Sequence, residues 1–201
     1  MPATDLATVL AGTPAGDFAT TLRDRPLPKL GPAPTWDKTL GIRKQSASAL
    51  LAPREIHDAE SAKALKSGLL LWNDELDTSH TISQDIPSKT GSYWHGIMHR
   101  REPDYGNAKY WMRRVDTHPI HPELRSAAIA AADNCEQTAD AMRIRQAIAS
   151  RPEWDGFAMV DYCEAAARGR LDAESATLLQ QIQVSEIELL LAYSASQALG
   201  V

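Results

Sequence analysis

The sequence predicts an all-α protein: a single-domain helical array or bundle of about seven or eight helices behind a proline-rich N-terminal arm. Three observations carry this. From Pro53 onward Ala, Leu, Glu and Arg dominate and strand-type alternation is nearly absent. In that region apolar residues recur at three- and four-residue spacing, the signature of one buried helical face. Residues 1–50 have a different texture, holding Pro2, Pro14, Pro26, Pro28, Pro32 and Pro34, half of the chain's 12 prolines. Proline lacks the amide donor a helix interior needs. The chain therefore divides into an arm, residues 1–50, and an all-helical domain, residues 51–201.

In order, the arm has room for short helices near Asp5–Ala11 and Gly16–Arg23. Leu6, Leu10, Phe18, Leu22, Leu27, Leu30 and Trp36 give it apolar surface to bury, against the body or another subunit. Pro53 suits a first helical turn, and a helix over residues 54–76 would align Ala62, Leu65, Leu69 and Trp72. The segment "DTSHTISQDIPSKTGS" reads as a loop with space for a short helix. Residues 92–102 form the next helix, which Pro103 ends because the residue before proline avoids the α region. Asp104 caps its successor, where Ala108, Trp111, Met112 and Val115 make an apolar stripe. After "THPIHPEL" come helices near 122–134, 136–150 and 155–168, the last stopped by Gly169. Asp155 reads as a cap. A final helix over 172–198 carries Leu178, Ile182 and Leu189, and its Glu186 and Glu188 are candidate partners for buried arginines.

The 201 residues, 43% hydrophobic, supply enough apolar material for one core. A net charge of −5 argues against a nucleic-acid binder. No apolar run is long enough for a bilayer, and the N-terminus lacks the basic and apolar regions of a signal peptide. A cytoplasmic location is the expectation. Cys135 and Cys163 form no metal or disulfide pattern. The broad apolar circumference of the last helix, together with the arm, makes a homodimer an expectation too.

The chemistry concentrates in "GSYWHGIMHRREPDYGNAKYWMRRV", residues 91–115. It holds two of the six histidines, two of the five tryptophans, three of the five tyrosines and four arginines. His95, His99 and Glu102 follow H-x3-H-x2-E, which places all three on one helical face. Two imidazoles at this spacing suit zinc, and two histidines with a carboxylate suit open iron sites. The same row suits acid–base catalysis without a metal. A third ligand must come from elsewhere: His80, flanked by Asp77 and Asp85, or His118 or His121. Arg100 is the candidate for holding an anionic group, its planar fork matching carboxylate or phosphate, and Tyr93 offers a stacking face. Trp94 and Trp111 read as core. Gly96, mid-helix at a cost of about 0.5–1 kcal/mol relative to alanine, reads as a close-packing position.

The span "GIMHRREPDYGNAKYWMRRVDTHP" resembles one tetratricopeptide-type helical hairpin through Gly96, Tyr105, Ala108, Trp111 and Pro119. The resemblance covers about 30 residues, has no second copy, and implies only a short antiparallel hairpin. The fuller string "GSYWHGIMHRREPDYGNAKYW" is also similar to a group of uncharacterised bacterial proteins, which implies no activity. Phosphate-loop, dinucleotide and G-x-S-x-G motifs are absent.

The functional expectation is a small all-α enzyme (hydrolase, lyase or isomerase) acting on a small polar or anionic substrate such as a sugar or acid derivative. His95, His99 and Glu102 are its candidate catalytic residues. Arg100, Tyr93, His80 and Asp85 are candidates for substrate contact. His80, His95 and His99 are candidates for a divalent metal, zinc or iron. The alternative is a non-enzymatic helical-hairpin protein docking an acidic partner through an Arg- and aromatic-rich surface. The direction of the histidines discriminates the two: convergence favours the enzyme, splaying the docking module.

Overall fold

The computed structural model describes residues 5–201; Pro2 and the rest of residues 1–4 of the expected arm lie outside it. The described residues form eleven α-helices and one 3-10 turn, with no strand. They are α1 (Leu6–Val9), α2 (Pro14–Arg23), the turn Ile42–Lys44, α3 (Ala47–Leu51), α4 (Ala59–Trp72), α5 (Leu76–Ser83), α6 (Lys89–Arg101), α7 (Tyr105–Val115), α8 (His121–Asn134), α9 (Ala139–Ser150), α10 (Gly156–Ala167) and α11 (Ala173–Leu199). The all-α reading stands. The helix count exceeds seven or eight because α1, α2 and most of α3 fall within residues 1–50.

Caps set most boundaries. Asp58 accepts from the amides of Glu60 and Ser61, so α4 begins there and not at Arg54. Pro53 sits in the turn after α3 instead of a first helical turn. Thr138, Asp155 and Asp172 cap α9, α10 and α11, and Gly169, at φ +65°, follows α10. The expected loop before α6 contains α5, followed by Ser88 as the α6 cap.

Two apolar clusters meet along α11. The first joins α4, α6 and the C-terminal half of α11 to Leu6, Leu10, Leu22, Ile42 and Leu50 from residues 5–50. The second joins α8, α9 and α10 to Leu178, Leu179 and Ile182. Each fully buried Leu or Ile contributes about 1.5–3 kcal/mol, so the first fifty residues contribute to the main core. Polar contacts fasten the same segment. The Trp36 amide donates to the Asn73 carbonyl at 3.0 Å, and the Asn73 side-chain amide donates to the Asp37 carbonyl at 3.0 Å. Arg25 pairs with Asp74.

Gly68 is a point of close approach between α4 and both α6 and α11. A Cβ there would lie 2.5 Å from Trp94 Cζ2 and 2.8 Å from Leu191 Cδ2. Trp94 is held by core packing and donates from Nε1 to Ser194 Oγ at 3.3 Å, so it cannot yield cheaply. Gly68→Ala is expected to destabilise the fold by about 1–3 kcal/mol, overpacking outweighing the helix-propensity gain. Chemical denaturation would show this; an unchanged or raised midpoint would contradict the packing at this crossing.

Candidate metal centre

Twelve of the thirteen residues of α6 are buried, so its sequence has to serve several faces at once. Seven residues are close to two helical turns, and positions seven apart share a face. Tyr93 and Arg100 face α11. Trp94 and Arg101 face α4. His95 and His99 face α5 and α7. The connection from α6 to α7 is short: the Glu102 amide donates to Met98 O, the Asp104 amide to His99 O, and Asp104 caps α7 by accepting from the Asn107 amide. Gly96 lets α7 approach, since a Cβ there would meet Met112 Cε at 2.8 Å and Trp111 Cβ at 3.4 Å.

The result is a cluster of three imidazoles. His95 Nε2 and His99 Nε2 are 2.9 Å apart. His80 of α5 meets both rings edge-on, with centroids 4.8 Å from His95 and 5.0 Å from His99. One ring nitrogen from each of the three lies within 4.8 Å of the other two. Trp111 stacks flat on His95, centroids 4.1 Å apart and planes 20° apart, and the Arg114 guanidinium lies 5.2 Å from the Trp111 ring centroid. Trp111 is half-buried. It is therefore a wall of the cluster and not a member of the core stripe, which Ala108, Met112 and Val115 supply.

The electrostatics suit neutral rings. Burial first, then the neighbouring His99 and His80, pulls His95 from 6.5 down to about 4. Burial and His80 lower His99 as well. Glu102 caps α6, and its Oε2 stands 3.5 Å from His99 Nδ1. Burial raises the Glu102 carboxyl, with His80 opposing and Asp77 and Asp104 adding to the rise. Two neutral ring nitrogens 2.9 Å apart must share a proton or direct both lone pairs at one cation. The two Nδ1 atoms are buried with no hydrogen-bond partner in the protein. Three imidazoles with a carboxylate at the edge form a donor set for a borderline divalent ion. His80, His95 and His99 can thus hold a metal ion, with Glu102 placed to orient His99.

Arg100, expected to hold an anion, is fully buried and paired with Glu186, and it also reaches Gln183 Oε1 at 3.5 Å. Tyr93, expected as a substrate contact, is fully buried and donates to Glu186 Oε1 at 3.0 Å. Neither can touch a ligand at the histidines, because the α11 face and the α5/α7 face of one helix point in different directions. Asp85 is exposed in the turn after α5, outside the three-imidazole group. Glu186 was legible as a partner for a buried arginine, whereas the part played by Trp111 was not: a stripe position looks the same whether it faces a core or an imidazole. Arg101 is also buried, donating to Leu71 O at 3.0 Å and pairing with Asp74.

His118 and His121 lie elsewhere, beside Tyr93. The His118 ring contacts Thr90 Oγ1 at 3.2 Å through Nε2, and its Nδ1 accepts from the Ile120 amide at 3.4 Å. His121 Nδ1 accepts from the His118 amide at 3.3 Å. Both rings are buried: burial, His121 and Lys89 hold His118 at about 3, and burial lowers His121. An unfolded histidine binds its proton near 6.5. Below that pH the unfolded chain gains protons that the native state refuses, so stability is full above about 6.5 and falls as the pH drops towards 3. The slope contributed by His118 should approach about 1.4 kcal/mol per pH unit. Melting temperatures from pH 7.5 to 4.5 should decline, and His118→Gln should flatten the decline. Equal slopes in both proteins would refute the assignment to His118.

The chain matches no protein-family model, no curated protein and no solved structure. The geometry of the cluster is therefore what speaks to function. No helix of the described residues is long and apolar enough to cross a membrane.

Proposed function

We propose that this chain is a small all-α metal-dependent enzyme whose reaction centre is the His80–His95–His99 cluster, acting on a small polar or anionic substrate. The observation that carries it is the convergence of three ring nitrogens, from two successive helices, to within 4.8 Å of one another. Zinc or iron is the metal, since imidazole and carboxylate donors suit both. When bound, such an ion polarises a substrate oxygen or lowers the pKa of a bound water, which serves hydrolase, lyase or isomerase chemistry. Glu102, half-buried and next to His99, orients that ring or accepts a proton. Trp111 fixes the His95 ring plane.

The docking alternative has less support. Two of the four arginines that would make its basic surface, Arg100 and Arg101, are buried in ion pairs, and the imidazoles converge. Metal analysis of the chain purified without chelator tests the enzyme reading. About one equivalent of zinc or iron per chain is expected, removable by chelator and restored on adding the ion back. A chain that takes up neither ion would end it.

A further inference from the structure

Beside the histidine cluster lies a cleft of about 450 Å³, roughly the size of a small-molecule site. It is lined by Asp77 and Thr78 at the start of α5, by Glu102, and by Pro32, Pro34 and Arg43 of the arm, while the three histidines lie behind this lining. Two of these residues tie it to the cluster. Glu102 Oε2 is 3.5 Å from His99 Nδ1. Asp77 precedes His80 by three residues on α5, so both lie on one helical face. The arm that forms the far side is fastened by the Trp36, Asp37 and Asn73 hydrogen bonds, which hold it in place next to α5.

The charges of the cleft are unevenly engaged. Asp74 is held between Arg25 and Arg101, and Glu75 accepts from the Asn73 amide at 3.0 Å. Arg43 is exposed, is the cleft's one cationic side chain, and forms no ion pair among the described residues. Unlike the buried Arg100, it lines an open cleft. We propose that this cleft is the substrate subsite of the metal centre and that Arg43 is a specificity residue that binds the carboxylate of a small monoanionic substrate. The proposal rests on the metal-enzyme reading above. A guanidinium fork and a carboxylate match in a planar, bidentate way. With a divalent ion at the three imidazoles, the carboxylates of Glu75, Asp77 and Glu102, the Arg43 guanidinium and the net positive Arg25–Asp74–Arg101 group together leave a single positive charge. A monocarboxylate neutralises it, whereas a dianionic phosphate would meet these acids with charge to spare. The rest of such a molecule, a hydroxyl or carbonyl, then points along the cleft past Glu102 towards the histidines.

The test uses the full chain loaded with Co²⁺, whose visible absorption reports its coordination, in wild-type and Arg43→Gln forms. The probes are lactate and propane-1,2-diol, which share a carbon skeleton and differ in the carboxylate. Both proteins should take up about one Co²⁺ with equal affinity, which also shows that the variant folds. Lactate should shift the wild-type spectrum and bind about tenfold more weakly to Arg43→Gln, with Arg43→Lys in between. The diol should bind weakly and equally to all three. Equal lactate affinity in wild type and Arg43→Gln, or a diol that binds as well as lactate, overturns the role of Arg43 and leaves the metal reading in place. Failure of the wild type to take up Co²⁺ overturns the metal centre and the subsite with it.

Discussion

Glu186→Ala is expected to cost about 3–5 kcal/mol of stability. Glu186 and Arg100 both have fully buried side chains, and they pair across α6 and α11. Removing the carboxylate leaves a guanidinium in a low-dielectric core and strips the Tyr93 hydroxyl of its acceptor. Burial alone would lower the Arg100 pKa; the adjacent Glu186 more than reverses this and holds it above its ordinary value. The arginine therefore cannot escape the penalty by shedding its proton. A domain of this size has about 5–15 kcal/mol in total, so the variant should lie near the edge of folding at 37 °C. The penalty comes from the orphaned charge more than from any strength in the pair. Hence Arg100→Met with Glu186→Leu should recover at least about half of the loss, the remainder reflecting Tyr93 and Gln183. Urea unfolding of the single and double variants measures this. A Glu186→Ala cost below about 1 kcal/mol would mean that the pair is not buried in solution.

His95→Ala combined with His99→Ala is expected to weaken divalent-metal binding by more than about a thousandfold. Even the loss of a residue that only orients a metal ligand costs about 10–100-fold, and this variant removes two of the three proposed ligands themselves. Glu102→Gln, which keeps shape and drops charge, should fall in that 10–100-fold range. His118→Gln should leave affinity unchanged, because its ring lies outside the cluster. Competition against a chromophoric chelator ranks these affinities. Wild-type affinity in the double variant would place any bound metal elsewhere. Because both rings are buried, circular dichroism of the double variant is read first, to show that it is folded when its affinity is measured.

Much of this architecture could be read without coordinates, and the failures have physical causes. The sequence places α9 to α11 to within a few residues because their caps and stops are local: Thr138, Asp155, Asp172 and Gly169 act on amides or turns a few positions away, and Pro122 in the first turn marks α8. The expected helix over 54–76 is longer than α4 because the flanking Arg54, Glu55, Glu75 and Leu76 are good helix formers, while the caps Asp58 and Asn73 set the actual ends. Helices α1 and α3 are too short to be stable on their own; contact with the core makes them.

What the sequence determined by itself is the class of structure and the row of groups proposed to carry the chemistry. Helical propensity and apolar period dictate an all-α chain. The four-residue spacing of His95 and His99 dictates that both imidazoles share a face, whatever that face meets. What only the tertiary structure decided is the partner of each face. His80 lies on a different helix, and its approach to His95 and His99 depends on how α5 packs on α6. Arg100 is adjacent to His99 in sequence, yet the 100° step of the helix turns it towards Glu186, 86 residues away. Trp111 and Arg43 acquire their places in the same way. Spacing along a helix fixes which side chains are neighbours on its own surface, while the packing of helices on one another fixes what those side chains touch.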